Sequence, residues 1–217
     1  VRLWEEKKYN TLRDVLSTLQ PPQAVGVLLL LPETALAPLF RLLPKELAAE
    51  TFVEMEADQQ EKLIRSFSDT ELRSVLDELY VDDAVDLVEE MPANVVKKVL
   101  ANTDENTRAV INQLLNYPAD SAGSIMTTEF VYLHPDATVE ESFARIRKVG
   151  VDKETIYTCY VTRRRTLEGV VTVKSLLLSS SDTRIRDIME TNVLYVNTHD
   201  DKEDVAQMFS KYDLTAL

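Results

Sequence analysis

The strongest constraint in this sequence is an internal repeat near its C-terminus. Residues 125–148 align without a gap on residues 188–211. The copies share six identical residues: Ile125/Ile188, Met126/Met189, Thr128/Thr191, Tyr132/Tyr195, Glu140/Glu203 and Lys148/Lys211. Self-similarity at a fixed spacing indicates a structural unit that occurs twice. The C-terminal half is therefore expected to contain two copies of one module.

The first copy has the pattern of a small α/β module. Three runs of β-branched and aromatic residues have the length of strands, at 130–133, 155–161 and 167–173. A capping-box sequence from Thr138 to Glu141 predicts a helix after the first strand. The leucines at 176–178 predict another helix after the third strand. The predicted order is β-α-β-β-α.

The second copy keeps the apolar pattern of the first but is shorter. Leu194 and Val196 stand where Val131 and Leu133 stand in the first copy, so a strand is predicted there as well. The copy stops at Leu217, where its second strand should be running. We therefore expect this chain to be a fragment of a longer protein.

The N-terminal half has a helical pattern that prolines interrupt at short spacing. The interruptions are at Pro21-Pro22, Pro32, Pro44 and Pro92. Proline is tolerated at the start of a helix but not inside one, so this spacing predicts many short helices. Ser68 to Glu71 is a capping box that begins one of them. We predict an all-α superhelix over residues 1–116 and a linker over 117–124.

The charge of the chain narrows the classes of partner. There are 37 acidic and 24 basic residues, and the formal net charge is −13. This balance disfavours nucleic acids and anionic membrane surfaces, and it favours cations. The longest apolar run, residues 24–31, is less than half of the ~20 residues that a membrane helix needs. We therefore expect a soluble piece with no nucleic-acid partner.

Motifs for catalysis are missing from the sequence. It has no Gly-rich phosphate loop and no nucleophile elbow, so no enzyme is predicted. His134 and His199 have no cysteine partner, so a zinc site is not predicted. Cys159 is interpreted as a small buried residue of a strand. Residues 163–165, three arginines, are interpreted as a solvated hairpin tip rather than a binding patch.

Several motifs resemble those of known families. The repeat, with Ile125-Met126 at its start and Gly-Val-Val-Thr-Val at 169–173, resembles a tandem pair of CBS domains. The junction over residues 117–129, with its Ser-Ala-Gly motif, is similar to that of MgtE-type magnesium channels, in which an acidic helical N domain leads into a CBS pair. Upstream, residues 41–45 and 79–87 are similar to that family's N domain.

The resemblance implies a domain organisation and a role. It implies an N domain over 1–116, a linker over 117–124, a first CBS domain over 125–184 and an incomplete second one over 185–217. It also implies a homodimer, formed through the CBS domains at the cytoplasmic face of the cell membrane. In the full-length protein a C-terminal transmembrane pore domain would follow. Mg²⁺ bound between N and CBS domains would keep that pore shut.

Asp82 and Asp86 are the first candidates for magnesium ligands. Mg²⁺ takes oxygen ligands and keeps several waters, so one or two carboxylates are enough. The two residues are four positions apart and share one helix face. Alternatively, these acids are only the solvated side of an amphipathic helix, with Val85 and Val88 on its buried side. The resemblance assigns both aspartates to magnesium positions of the family.

A second acidic cluster lies further along the chain. Asp201 and Glu203 are at the start of a predicted helix, where acids are expected anyway because they complement the helix dipole. The resemblance implies that both residues, together with Asp213, bind Mg²⁺. It also implies main-chain oxygen ligands from Ser124 and Ser210.

ATP stays open as a second ligand. CBS pairs that bind adenosine nucleotides have an aspartate in the pattern Gly-x-x-Thr-x-x-Asp, and Ser175 replaces it in residues 169–175. This replacement weakens the case for nucleotide binding by the first copy. The alternatives are an adenine-nucleotide-binding CBS regulatory module of another protein and a purely structural dimerisation module.

Overall fold

The computed structural model describes the backbone of residues 1–217 and every side chain except that of Asp152. The chain divides into two units, Val1–Gln113 and Leu114–Leu217. The two units differ in class, since the first is helical and the second is built around a small sheet.

Short α-helices form the N-terminal unit, as the proline spacing predicts. They are α1 (Arg2–Glu5), α2 (Tyr9–Leu16), α3 (Pro21–Leu29), α4 (Glu33–Phe40), α5 (Lys45–Val53), α6 (Ala57–Ser66), α7 (Asp69–Leu76), α8 (Val81–Glu90), α9 (Ala93–Asn102) and α10 (Glu105–Leu114). Pro21 is the first residue of α3, and Pro32, Pro44 and Pro92 are the N-caps of α4, α5 and α9. Proline fits these positions because the first amides of a helix have no intrahelical acceptor.

The apolar faces of these helices meet in a core of leucines and aromatic rings. Its most deeply buried side chains are Leu16, Leu28, Leu39, Phe52, Leu63, Ile64, Leu72 and Ile111. The ring of Phe40 lies 5.5 Å from that of Phe67 and 6.4 Å from that of Phe52, measured between centroids. Burial of such residues supplies most of the driving force for packing short helices that are marginal alone.

The start of α7 joins a capping box to an ion pair. The Ser68 amide donates to Glu71 Oε2 at 2.8 Å, and the Glu71 amide donates to Ser68 Oγ at 3.3 Å. Arg41 Nε, at the end of α4, donates to Glu71 Oε1 at 2.6 Å. The Arg41 guanidinium and the Ser68 donors lower the pKa of Glu71 from 4.5 to about 2. One carboxylate thus connects α4 to α7.

We predict that Glu71→Gln destabilises the protein at neutral pH by about 1 kcal/mol or less, since the pair is partly exposed and solvent screens it. A carboxyl group with a lowered pKa in the folded state stabilises above its unfolded pKa, and this contribution is lost as pH falls from 4.5 towards 2. Urea unfolding at several pH values should therefore show the difference from wild type shrinking in acid. Glu61→Gln, which breaks a local pair with Arg65, is the control with a smaller effect. A difference that is constant with pH would contradict the assignment.

The C-terminal unit contains a three-stranded sheet with the predicted β-α-β-β-α order. The elements are β1 (Val131–Leu133), α11 (Val139–Val149), β2 (Thr158–Arg163), β3 (Thr166–Thr172) and α12 (Val173–Leu177). The strand order is β1-β2-β3, with β1 parallel to β2 and β2 antiparallel to β3. Strand β2 begins three residues later than the sequence predicts and continues to the hairpin turn. The fold class of both units is thus as predicted.

One face of this sheet is buried under the helices of the unit. The core consists of Val131, Leu133, Val139, Ile146, Cys159, Val161, Val171, Leu176 and Ile185. Cys159 is fully buried on β2, as predicted, and burial raises the pKa of its thiol to about 11. Deprotonation is therefore unfavourable at neutral pH, and the thiol acts as a packing group.

The second copy of the repeat forms its helix but not its first strand. Helix α13 spans Lys202–Tyr212. The strand predicted around Leu194 and Val196 is not formed in the described chain, because residues 213–217 provide no strand to pair with it. Apolar alternation alone does not make a strand when the hydrogen-bonding neighbour is missing.

The segment predicted as a linker is hydrogen-bonded to the second copy. The amides of Ala122 and Gly123 donate to Asp200 O and Thr198 O, each at 2.8 Å, and the Lys202 amide donates to Asp120 O at 2.9 Å. Gly123 is required there, because a Cβ would lie 2.8 Å from Thr198 O. Residues 119–123 therefore pair with residues 198–202.

Candidate metal-binding site

Helix α8 separates an apolar face from an acidic one. Val81, Ala84, Val85, Leu87 and Val88 are buried in the N-terminal unit. This leaves the acidic side chains Asp82, Asp83, Asp86, Glu89 and Glu90 on the remaining surface of the helix. The helix is thus amphipathic, which explains why the carboxylates are crowded on one side of it.

Part of the acidic face lines a pocket of about 410 Å³, here called the acidic pocket. Its carboxylates are Glu54, Glu56, Asp83, Asp86 and Glu90, and its apolar lining includes Phe52, Met55 and Leu87. Asp82 is partly buried on α8 and does not line this pocket. Asp83 thus joins Asp86 in the lining of this pocket, and Asp82 lies one helical turn before Asp86 on α8.

Sequence reasoning named only Asp86 among these five carboxylates as a candidate ligand, so it missed the other four. Asp83 was detectable, because Asp83, Asp86 and Glu90 follow the three- and four-residue spacing of one helix face. Glu54 and Glu56 were not, because they lie in the turn between α5 and α6 and reach the pocket only through tertiary packing.

The surroundings of Asp86 disfavour its negative charge. The pKa of Asp86 is raised, first by loss of hydration and then by the charges of Glu89 and Glu90. The residue is still exposed by surface area, so the loss of hydration is partial. A positive counter-ion near Asp86 would offset both effects.

Carboxylate oxygens fit the ligand preference of Mg²⁺. Among the described side chains no group of three or more histidine, cysteine or acidic residues forms a ready-made metal cage. Mg²⁺ retains several waters and needs only one or two carboxylates, so this arrangement suits it better than a metal that requires a full set of protein ligands. Asp86, with Asp82 or Asp83, would hold such an ion.

We predict that Asp86→Asn stabilises the protein at neutral pH without divalent ions, by a few tenths of a kcal/mol, about the size of a like-charge pair on a helix. A carboxyl group with a raised folded pKa destabilises the folded state once it is ionised, so the gain should disappear in acid, where Asp86 is protonated. Thermal unfolding in EDTA across pH measures this. Asp14→Asn, an exposed acid on α2, is the control, and an equal gain there would contradict the prediction.

The residues predicted on α13 lie at its two ends. Asp201 is the N-cap, and its Oδ1 accepts from the Glu203 amide at 2.8 Å. Ser210 is in the last turn, and Asp213 is the C-cap in the left-handed conformation, with φ of 51°. Asp201 and Asp213 are about 18 Å apart along the helix axis, at about 1.5 Å per helical residue. The four residues therefore cannot bind one ion together.

Ser124 lies in the segment that pairs with the second copy. The single hydrogen of its hydroxyl is shared between two acceptors, Ala119 O at 2.9 Å and Ser121 O at 2.8 Å. These bonds use the side chain and fix the local backbone, while the predicted ligand is the main-chain oxygen. A role in magnesium binding stays a prediction for all seven residues: Asp82, Asp86, Ser124, Asp201, Glu203, Ser210 and Asp213.

A third feature concerns nucleotides. Ser175 is at the start of α12, where its amide donates to Thr172 Oγ1 at 3.1 Å and its hydroxyl lies 3.0 Å from the same atom. It serves as part of a helix start. Beside it lies a pocket of about 520 Å³, here called the tyrosine pocket, lined by Tyr157, Thr158, Thr172, Val173, Lys174, Leu177, Leu178 and Thr215.

Comparison with known proteins identifies both parts of the chain. Residues 19–120 match the family model of the MgtE intracellular N domain, and residues 122–182 match that of the CBS domain. The crystal structure of the cytosolic domain of the Mg²⁺ channel MgtE in complex with ATP superposes with a TM-score of 0.92 at 32% identity, over 99% of this chain and 88% of that one. The soluble part of a magnesium transporter superposes with a TM-score of 0.87 at 29% identity, over 98% and 84%.

Two full-length relatives carry the same name. The magnesium transporter MgtE of Thermus thermophilus is 33% identical over 98% of this chain and 48% of its own length. That of Bacillus subtilis is 26% identical over 99% and 48%. The chain thus spans about half the length of these relatives.

These matches define the class of the protein: an acidic helical N domain is followed by a CBS domain. The chain belongs to the MgtE family of magnesium transporters, and it corresponds to the cytosolic domain of that family. The predicted resemblance, fold class and absence of enzyme function are confirmed by this membership. No described helix combines the length and the apolar character that a bilayer crossing requires.

Proposed function

We propose that this chain is the magnesium-sensing regulatory region of a magnesium transporter, attached in the full-length protein to a transmembrane pore domain. In this proposal Mg²⁺ held by carboxylates of the N domain and of the CBS region closes the pore, and loss of Mg²⁺ opens it. The chain would act as a homodimer through its CBS domains at the cytoplasmic face of the membrane.

The observation that supports this function best is the grouping of five carboxylates around the acidic pocket, in which burial and neighbouring negative charges raise the pKa of Asp86. Packing of α8 fixes the backbone positions from which these carboxylates project, so their negative charges stay near one another. When bound, Mg²⁺ would supply two positive charges and oxygen coordination, which offset that repulsion. Without it, the same carboxylates would oppose close approach of any other acidic surface, including Asp201 and Glu203 on α13.

We predict that Asp82→Ala/Asp86→Ala moves the magnesium dependence of the chain to higher concentration by about tenfold or more, as expected when one or two charged ligands are removed. Limited proteolysis during a MgCl₂ titration measures the midpoint. Cleavage within residues 121–123 is a sensitive reporter, because these three residues are buried and hydrogen-bonded and are cut only after local opening.

The control for this experiment is Asp14→Ala/Glu105→Ala, which changes the net charge equally at exposed positions that are neither on α8 nor in the acidic pocket. It should titrate like wild type. Digestion of wild type that is the same with and without millimolar magnesium would refute the switch. Equal shifts in both double variants would show a general effect of net charge instead of a site.

A second candidate is an adenine-nucleotide-binding CBS regulator, and one observation favours it. The similar cytosolic domain of MgtE was crystallised in complex with ATP. The tyrosine pocket offers an aromatic ring at Tyr157 and a cation at Lys174, although Ser175 takes the place of the expected aspartate.

Calorimetric titration separates these candidates. The magnesium sensor predicts heat on adding MgCl₂ that Asp82→Ala/Asp86→Ala reduces. The nucleotide regulator predicts heat on adding ATP in the absence of divalent ions that Lys174→Gln reduces. A purely structural dimerisation module would give neither signal.

A further inference from the structure

A pocket in the C-terminal unit is basic, although the chain as a whole is acidic. It has a volume of about 850 Å³ and lies between the end of β1, the helix α11 and the turn from β2 to β3. We call it the arginine pocket and define it by Phe130, Tyr132, His134, Arg145, Arg164 and Arg165. It shares no lining residue with the acidic pocket or the tyrosine pocket.

Two of its arginines have an unfavourable backbone conformation. Arg164 and Arg165 form a two-residue turn between the paired residues Arg163 and Thr166. Their φ angles are 50° and 70°, so both are left-handed, as a type I′ turn requires. Asn-Gly is the common sequence for this turn, because a Cβ in the left-handed region is sterically costly. Two long basic side chains therefore occupy a turn for which Asn-Gly would have a lower conformational energy.

These two guanidinium groups are not used to hold the fold. Arg163, the preceding residue, pairs with Asp136 at 3.0 Å and with Glu168 at 2.9 Å. Within the part of the chain that the structure describes, no hydrogen bond or ion pair engages the side chain of Arg164 or Arg165. Both residues are exposed at the pocket. The backbone of this turn is strained, and in the described part of the chain its two side chains make no hydrogen bond or ion pair that stabilises the fold. Such strain points to a functional role.

The rest of the pocket combines a third cation with aromatic surface. Arg145 Nε donates to Tyr132 O at 2.7 Å, and its guanidinium carbon lies 4.2 Å from the centre of the Tyr132 ring. The other face of that ring and Phe130 supply apolar surface, since Tyr132 is 53% exposed. The one carboxylate in the lining, Glu141, is already the acceptor of the Thr138 amide at 2.8 Å.

The start of α11 does not add free amides to this site. The amides of Val139 and Glu140 donate to Thr183 O and Ser181 O, at 2.9 and 3.0 Å. The Glu141 amide donates to Thr138 Oγ1 at 3.2 Å. An anion in the pocket would therefore be held by side chains, chiefly by the guanidinium groups.

We propose that the arginine pocket binds a ligand that carries phosphoryl groups, a polyphosphate or a phosphate ester. The guanidinium groups of Arg164 and Arg165 would bind the phosphoryl oxygens, for which the planar donor geometry of arginine is suited. Arg145 adds a third charge, and the remainder of an organic ligand lies against Phe130 and Tyr132. This site is separate from any nucleotide site at Lys174 and does not depend on magnesium sensing.

The test is a calorimetric titration of the whole chain with inorganic tripolyphosphate in EDTA. The informative variant is Arg164→Asn/Arg165→Gly, which replaces both cations by the sequence that a type I′ turn prefers. We expect it to fold with equal or higher thermal stability and to weaken tripolyphosphate binding by about tenfold or more. Lys174→Gln, in the tyrosine pocket, should bind tripolyphosphate like wild type.

Three results would overturn the proposal. They are no binding of tripolyphosphate by the wild-type chain, equal binding by the turn variant, or a loss of binding in Lys174→Gln alone. Sedimentation with vesicles of phosphatidylcholine, with and without phosphatidylglycerol, separates two sources of the phosphoryl group. Binding to the anionic vesicles that the turn variant abolishes supports a lipid headgroup, and tripolyphosphate binding without vesicle binding supports a soluble ligand.

Discussion

The crowding of carboxylates on α8 is the constraint on which the proposed function depends. The helix buries five apolar residues, and this burial fixes its rotation against the N-terminal unit. The backbone positions of its acids are fixed with it, and the turn between α5 and α6 adds two more carboxylates at the same pocket. Burial of the apolar face of α8 thus holds like negative charges close together at the pocket, where they repel one another. In the proposed function, a bound divalent ion would offset this repulsion without any change in the core.

Helix starts and caps, which depend on residues close in sequence, could be predicted from the sequence. Contacts between residues that are far apart in sequence could not. Pro32, Pro44 and Pro92 mark helix starts because proline restricts its own backbone. Ser68 caps α7 through a bond to a residue three positions away. Glu54 reaches the acidic pocket only through the packing of separate helices, which no local pattern reports.

The repeat shows the same limit at the level of a module. Both copies form their helix, because capping and periodicity are local. Only the first copy forms its sheet, because each strand needs a neighbour that supplies hydrogen bonds.

The C-terminal unit also shows that the local charge of a surface can differ in sign from the net charge of the chain. An overall charge of −13 predicts repulsion of anions, yet a strained turn concentrates cations at one pocket.

The pairing of residues 119–123 with 198–202 has a consequence for how this protein is divided in the laboratory. The sequence suggests a cut near residue 125, at the start of the first CBS copy. Such a cut would remove the hydrogen-bonding partners of residues 198–202, which precede α13. It would also remove the ring of Tyr117, whose centre lies 5.6 Å from that of His199. Expression of a separate CBS fragment should therefore start upstream of Tyr117, because the covalent connector is also a structural part of the module it precedes.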